Sequence, residues 1–238
     1  MQSRLSRRLF LTLTGGALFM PSFILGADEV PAVLDHILLG CSDLESGVDF
    51  VEQHTGVRAA FGGVHPGRGT RNALLSLGER HYLEIIAPDP AQSGVTNPLA
   101  PFLHSLSEPK LIGWAAHPGD IVAYAKKLSE AGVLFTGPTP GSRKRPDGRV
   151  LQWQTLNLKD DQSRLLPFFI EWSANSPHPA TDAPSGCRLV RFELVTPNPE
   201  ALKKTLAVLS LDVTVGKGEN PHIRASFSGP KGQLNLGS

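Results

Sequence analysis

The segment HILLGCSDLESGVDFVEQHTGV, residues 36–57, combines two secondary-structure patterns. It opens with an apolar run that is typical of a buried strand, and it turns into a helical pattern after Asp43. The helical part has apolar residues at Leu44, Val48 and Val51, which form one stripe along a helix surface. The segment therefore predicts a strand followed by a helix that covers one face of a sheet.

The same pattern recurs twice, as LIGWAAHPGDIVAYAKKLSEAGV at 111–133 and as LVRFELVTPNPEALKKTLAVLSLDV at 189–213. The polar residues that precede the three helices are Asp43, Asp120 and Asn198, and they are 77 and 78 residues apart. Strand-like segments follow each helix, so each unit has the order strand, helix and three further strands. Because such even spacing indicates an internal repeat, we predict an α+β fold with two full βαβββ modules and a compressed third.

The first residues have the features of an export signal. A basic start is followed by an apolar run and by small residues near position 27, which is typical of a secretory signal peptide. The stretch SRRLFL, residues 6–11, resembles the twin-arginine signal, although an ordinary secretory signal can also carry two arginines. Gly15, Gly16 and Pro21 interrupt the apolar run, so we expect no stable membrane span after removal of the signal. We predict a signal peptide at residues 1–27 and a periplasmic or secreted protein.

Composition limits the class of partner. The net charge is +1, which gives no indication of nucleic-acid binding, and 40% of the residues are apolar, which is enough for a core. The two cysteines are too few for a disulfide framework. Whether Cys41 and Cys187 form one bridge stays open at this point.

Two acidic residues lie inside apolar, strand-like segments: Glu84 in HYLEIIAP and Glu171 in PFFIEWS. Carboxylates are almost never fully buried without a partner, because an isolated ionised group would pay a large desolvation cost. The partner of Glu84 could be a metal cation or a basic side chain such as Arg71 or Arg80. These positions are therefore candidates for a functional site.

The repeat and four local motifs resemble the vicinal oxygen chelate superfamily, which includes glyoxalase I, extradiol dioxygenases and bleomycin-resistance proteins. The motifs are DHILLGCSDL, GGVHPGRGTRN, YLEII and PFFIEW, and the resemblance covers residues 33 to about 236. It is most similar to a glyoxalase-like subgroup. The resemblance implies curved mixed sheets around a cleft, with the helices on the outer face. It divides the chain into a paired domain at 33–173 and a third module at 185–236 that packs on the same domain.

In this superfamily a metal is commonly bound by residues of the first and last strands of each module. The resemblance implies that His36, Glu84 and Glu171 are candidate metal ligands, and that Glu84 or Glu171 can act as catalytic base. Gly113 occupies the second-module position that corresponds to His36, so the ligand set is incomplete. Imidazole and carboxylate donors suit a divalent Zn, Mn, Fe or Ni ion.

The glycine-rich segment GGVHPGRGTRN can bring backbone N–H groups close to an anion, and the resemblance places it at the cleft. Arg143 lies in a basic segment, 141–149, which could be a lid over an anionic substrate or a solvated loop. We assign Trp172 to the core, because strand alternation puts it opposite Glu171. His178, next to a proline, is expected at the surface. The candidate substrate-binding residues are His65, Arg68, Thr70, Asn72, Trp114 and Arg143.

The sequence and the resemblance predict an exported, metal-dependent enzyme that acts on a small oxygen-rich substrate. The metal would chelate two substrate oxygens and stabilise an oxyanion, and the reaction class stays open between lyase, isomerase and dioxygenase. The alternative is a metal-free protein that binds or sequesters a small molecule, as bleomycin-resistance proteins do, and Gly113 favours this alternative. We expect a small-molecule ligand, no nucleic-acid partner, and a monomer or homodimer.

Overall fold

A computed structural model of the chain describes residues 30–95, 97–145, 147–159 and 164–237. The predicted signal peptide at 1–27 lies outside these residues. The strands are β1 (Leu34–Gly40), β2 (Ala60–His65), β3 (Thr70–Ser76), β4 (Tyr82–Pro88), β5 (Lys110–Ala116), β6 (Phe135–Lys144), β7 (Val150–Leu158), β8 (Phe168–Trp172), β9 (Arg188–Thr196), β10 (Val215–Lys217), β11 (His222–Gly229) and β12 (Gly232–Leu236). The helices are α1 (Leu44–Thr55), α2 (Leu99–His104), α3 (Ile121–Glu130), α4 (Pro179–Asp182) and α5 (Pro199–Val208).

The first eight strands form one mixed sheet in the order β2-β3-β4-β1-β5-β8-β7-β6. Its two halves have the same internal order, and the first and fourth strands of each half are parallel: β1 with β4, and β5 with β8. The halves join at the antiparallel pair of β1 and β5. This arrangement confirms the two predicted βαβββ modules, and the sheet curls so that its edge strands β2 and β6 approach each other.

Strand alternation separates the two faces of this sheet. On β1 and β4 the residues Ile37, Leu39, Leu83 and Ile85 are fully buried on the outer face, where helix α1 packs. Helix α1 begins after Asp43, whose side chain accepts a hydrogen bond from the Ser46 N–H. The intervening residues of each strand point to the concave face, where the candidate site lies.

The third unit keeps the chain order of a module but pairs its strands differently. Its four-stranded sheet has the order β10-β9-β11-β12, and β10 is parallel to β9. Its apolar side chains join those of the large sheet in one continuous core, where the rings of Trp114 and Phe192 lie 5.2 Å apart. The third unit therefore covers the outer face of the large sheet and does not extend the concave face.

The described residues bear on two further questions that the sequence raised, a disulfide bond and a membrane span. Cys41 and Cys187 are both free and buried, so no bridge joins them. None of the helices in the described ranges has the length and hydrophobicity that a membrane span requires.

Candidate functional site

The concave face of the large sheet encloses a pocket of about 260 Å³. The first half of the sheet supplies most of the polar lining, and the second half supplies aromatic and apolar side chains together with Arg143, Thr155 and Asn157. The main lining residues of the first half are His36, His65, Thr70, Asn72, Tyr82 and Glu84. The main lining residues of the second half are Arg143, Trp153, Phe168, Ile170 and Trp172. The pocket therefore has a polar side and an apolar side.

His36 is the central residue of the polar side. It is only 2% exposed, and its Nδ1 lies 2.7 Å from Oδ1 of the buried Asp35. Its Nε2 lies 3.4 Å from Oε2 of Glu84, which is the pairing that the parallel strands β1 and β4 allow. The imidazole also stacks on the Tyr82 ring, with ring centroids 4.5 Å apart. Two carboxylates thus hold the two ring nitrogens of His36, and Tyr82 holds its plane.

A hydrogen-bonded chain continues from Glu84 to the edge of the sheet. The Asn72 amide donates from Nδ2 to Glu84 Oε1 over 2.6 Å, and its Oδ1 accepts from Arg143 Nη1 over 2.5 Å. His65 lies beside this chain, with Nδ1 2.9 Å from Thr70 Oγ1 and Nε2 3.3 Å from Asn72 Nδ2. The Thr70 and Asn72 contacts indicate a neutral His65 whose Nε2 accepts.

The charge state of this group follows from its contacts. Burial alone would lower the pKa of His36, but the hydrogen bonds and charges of Asp35 and Glu84 raise it to about 9. Burial would raise the pKa of Glu84, yet the hydrogen bond with His36, the neighbouring imidazoles and Asn72 bring it down to about 2. Burial lowers the pKa of His65 from its usual value. At neutral pH the pocket therefore contains an imidazolium–carboxylate pair beside a neutral imidazole.

The apolar side of the pocket is built from three aromatic side chains. The rings of Trp153 and Trp172 lie 5.4 Å apart in a tilted arrangement. Phe168 meets the His36 ring edge-on at 5.4 Å, which joins the apolar wall to the polar side. Gly141 makes room for Trp153, because a Cβ atom there would lie 2.5 Å from the indole Nε1. Such a wall favours a ligand with a flat or apolar part.

The structure brings most of the sequence-predicted site residues together. Seven of the nine candidates line the pocket: His36, His65, Arg68, Thr70, Asn72, Glu84 and Arg143. Arg143 differs from the expected loop position, because it lies within β6 and is only 4% exposed. Its segment is therefore neither a solvated loop nor a lid at that position.

Two candidates lie outside the pocket. The Glu171 carboxylate accepts a hydrogen bond from the Ile121 N–H over 2.9 Å, so it lies at the start of helix α3, on the outer face. Trp114 is 1% exposed and donates from Nε1 to the Leu165 carbonyl over 2.7 Å within the core. The prediction that Trp172 belongs to the core was also wrong, because alternation on β8 points Ile170 and Trp172 inward and Glu171 outward.

Asp35 is a functional candidate that the sequence analysis missed. It is 2% exposed and accepts hydrogen bonds from Trp172 Nε1 at 3.2 Å and from His178 Nε2 at 3.1 Å, in addition to its contact with His36. His178 is half-buried by this contact and is not the free surface residue that was expected. The signal in the sequence was an acidic residue inside the apolar run that begins at Leu34.

The resemblance implies a bound metal. Whether the pocket can hold one depends on the metal-donor atoms that its side chains supply. His36 Nε2 and the Glu84 carboxylate are the two donors that face each other. His65 Nε2 is 3.5 Å from Glu84 Oε1, but it is taken up by the Asn72 amide. Among the described residues no group of three or more His, Cys, Asp or Glu side chains is arranged to hold a metal ion. Because catalytic metal sites use three protein ligands, these donors alone do not fit such a site.

Comparisons with known proteins identify the class. The family model described as "Glyoxalase-like domain" matches residues 34–210, which is most of the chain. The chain therefore belongs to the glyoxalase-like domain family, and its predicted place in the vicinal oxygen chelate superfamily is confirmed. No curated protein matches the chain.

Solved structures share the fold. A hypothetical protein from Staphylococcus aureus superposes with a TM-score of 0.59 and 18% identity, covering 85% of this chain and 84% of that one. Methylmalonyl-CoA epimerase from Mycobacterium tuberculosis gives a TM-score of 0.44 and 21% identity, covering 66% of this chain and 95% of that one. The likeness to the Staphylococcus aureus protein shows the fold alone.

Proposed function

We propose that this protein is an enzyme that binds a small oxygen-rich molecule in the pocket and transfers a proton next to its carbonyl group. The observation that carries the proposal is the buried pair of His36 and Glu84, with Asp35 behind the histidine. Such a pair offers a hydrogen-bond donor and a base within one site, which is what enolisation of a carbonyl compound requires.

His36 supplies the donor. Because its Nδ1 proton goes to Asp35, the protonated ring directs its Nε2–H towards Glu84 and the pocket. A substrate oxygen that takes this hydrogen bond gains a charged donor, and the donor strengthens as negative charge develops on that oxygen. His36 is thus the group that stabilises the oxyanion.

Glu84 supplies the base. While it is paired with His36, its low pKa makes it a weak one. When the substrate oxygen takes over the hydrogen bond from His36, Glu84 loses part of the contact that lowers its pKa, and its basicity rises. Its carboxylate remains oriented by Asn72 through the 2.6 Å hydrogen bond. The expected reaction class is an isomerase or a lyase.

The test is α-proton exchange in D₂O, which detects proton transfer whatever the final product is. Pyruvate, phenylpyruvate, dihydroxyacetone and mandelate are incubated with the protein, and the α-proton signals are followed by NMR. The wild type should exchange the α-protons of a compound that it binds, and Glu84→Gln should bind that compound without exchange. Binding by the wild type without exchange overturns the enzymatic proposal.

A protein that only binds or sequesters its ligand is the second candidate. The observation that favours it is that both Glu84 oxygens are already engaged, Oε1 by Asn72 and Oε2 by His36, since a carboxylate held in this way abstracts protons poorly. This function predicts saturable binding, no α-proton exchange, and an unchanged ligand after release. The same NMR experiment separates the two functions.

Metal dependence and export are separate questions, and each has its own test. A divalent Zn, Mn, Fe or Ni ion would need His36 and Glu84 plus a donor beyond them, so the proposed proton transfer requires only the side chains of the pocket. Metal content by mass spectrometry, beside Glu84→Ala, tests metal dependence directly.

SRRLFL at residues 6–11 supports twin-arginine export. Loss of periplasmic protein in a variant with Arg7→Lys and Arg8→Lys would support that route.

A further inference from the structure

Arg143 is a buried cation of the pocket. Its side chain lines the pocket and is only 4% exposed, yet no carboxylate of the described residues forms an ion pair with it. It donates from Nη1 to Asn72 Oδ1, which is a neutral acceptor, and its buried Nε has no hydrogen-bond partner among the described residues. Buried charges are rarely left unpaired, because desolvation is costly.

Glu84 does not fill this role. Asn72 stands between the two charges, with its Oδ1 towards Arg143 and its Nδ2 towards Glu84. The Glu84 carboxylate is already engaged by this amide and by His36. Arg68 adds a second guanidinium to the pocket lining, at an exposed position. The Glu84 charge thus acts on Arg143 only across the Asn72 amide, and no carboxylate of the described residues contacts the guanidinium.

The two edges of the curled sheet fix Arg143 in place. A Cβ atom on Gly62 would lie 2.5 Å from Asn72 Oδ1 and 3.1 Å from Arg143 Nη1. A Cβ atom on Gly63 would lie 2.9 Å from Arg143 Cδ. The glycines of β2 therefore leave the room in which the arginine of β6 crosses from one edge to the other. The two glycines of β2 thus accommodate the Arg143 side chain at this position in the pocket.

We propose that the ligand of this pocket is a small carboxylate, whose anionic group pairs with Arg143 and whose apolar body lies against Trp153 and Trp172. The planar guanidinium matches a carboxylate in two parallel hydrogen bonds, and the two indole rings suit a flat group. This inference rests on the proposed function in one respect, namely that a small molecule binds here. It does not depend on the proton transfer.

The test compares carboxylates with their uncharged amides. Phenylacetate and phenylacetamide, and 3-phenylpropionate and 3-phenylpropionamide, are titrated into the full chain at millimolar concentrations, and tryptophan fluorescence reports binding. The wild type should bind each carboxylate about tenfold or more tightly than its amide, as a charge-assisted hydrogen bond implies. Arg143→Gln should abolish that preference while retaining amide binding. Arg188→Gln, an exposed arginine outside the pocket lining, is the charge-matched control.

Each other outcome overturns the inference. Equal binding of acid and amide by the wild type, or a preference that survives in Arg143→Gln, removes the role of Arg143. If neither the carboxylates nor the amides bind the wild type, the inference about a carboxylate ligand is overturned. The proposed function would still hold if the protein exchanged the α-protons of other carbonyl compounds. If Arg143→Gln fails to fold, Arg143→Lys should show a reduced preference, because lysine keeps the charge but loses the planar pairing.

Discussion

His178 donates a hydrogen bond from Nε2 to Oδ2 of Asp35 over 3.1 Å, although the two residues are 143 positions apart. The proton is on Nε2 because Nδ1 of His178 accepts from the Ala180 N–H over 3.2 Å. Asp35 meets His36 with its other oxygen and also accepts from the Trp172 indole. The carboxylate that orients the pocket histidine is therefore held in place by residues from the end of the second module and beyond it.

The Asp35→Asn variant should change the titration of His36. The carboxylate stabilises the protonated imidazole, so its loss removes contacts that oppose the effect of burial and lowers the pKa of His36 from about 9. Histidine NMR titration measures this shift. His178→Gln is the matched control, because it keeps the carboxylate and should move the pKa of His36 much less. An unchanged His36 titration in Asp35→Asn would contradict the role of Asp35.

Stability should depend on pH through the same buried pair. The pKa of His36 is raised from 6.5 to about 9, so its contribution is complete below pH 6.5 and is lost as pH rises through 9. The pKa of Glu84 is lowered from 4.5 to about 2, so its contribution is complete above pH 4.5 and is lost as pH falls through 2. The free energy of unfolding should therefore be highest between pH 4.5 and pH 6.5.

The alkaline loss amounts to about 3.5 kcal/mol at most, from a shift of this size at about 1.4 kcal/mol per pH unit. The two groups share one interaction, so their contributions do not add. Urea unfolding across the pH range measures the profile, and His36→Gln should flatten its alkaline side. A profile that stays steep between pH 6.5 and 9 in this variant would assign the dependence to other groups.

The sequence predicted the first half of the site well. The family resemblance implied that His36 and Glu84 lie together on the first and fourth strands of a module, and that the GGVHPGRGTRN motif brings His65, Thr70 and Asn72 to the cleft. These residues lie close along the chain or in strands whose pairing the module fixes. The repeat pattern together with the family resemblance was therefore sufficient to place them.

The second half of the site depends on long-range packing, which a local sequence pattern does not predict. The alternation of Glu171 and Trp172 was predicted correctly, but their faces were exchanged, because a period of two does not say which face is concave. The indole of Trp172 can line the pocket since Asp35 accepts its N–H, and that contact spans 137 residues. The strand order of the third unit likewise could not be read from its strand–helix pattern, because that pattern is the same in all three units.

Substitution of Glu171 should affect stability, whereas substitution of Glu84 should affect α-proton exchange. Glu171→Ala removes an acceptor for the Ile121 N–H at the start of helix α3, and it should cost about 1 kcal/mol of unfolding free energy, as loss of a helix cap does. Ligand binding and α-proton exchange should be unchanged. Glu84→Gln should abolish exchange in a folded protein. Loss of exchange in Glu171→Ala, measured beside a normal circular dichroism spectrum, would make Glu171 a catalytic candidate again.

Substitutions of Trp172, in the pocket wall, and of Trp114, in the core, form a matched pair. Trp172→Phe removes part of the apolar wall and the hydrogen bond to Asp35, so ligand affinity should fall several-fold, within the range of about 0.5–1.5 kcal/mol for aromatic contacts. Trp114→Phe loses a core hydrogen bond to the Leu165 carbonyl, so it should lower the unfolding free energy but leave ligand affinity unchanged. Fluorescence titration and urea unfolding of both variants measure the two effects. Weaker binding in Trp114→Phe with normal binding in Trp172→Phe would mean that the ligand does not occupy the concave pocket.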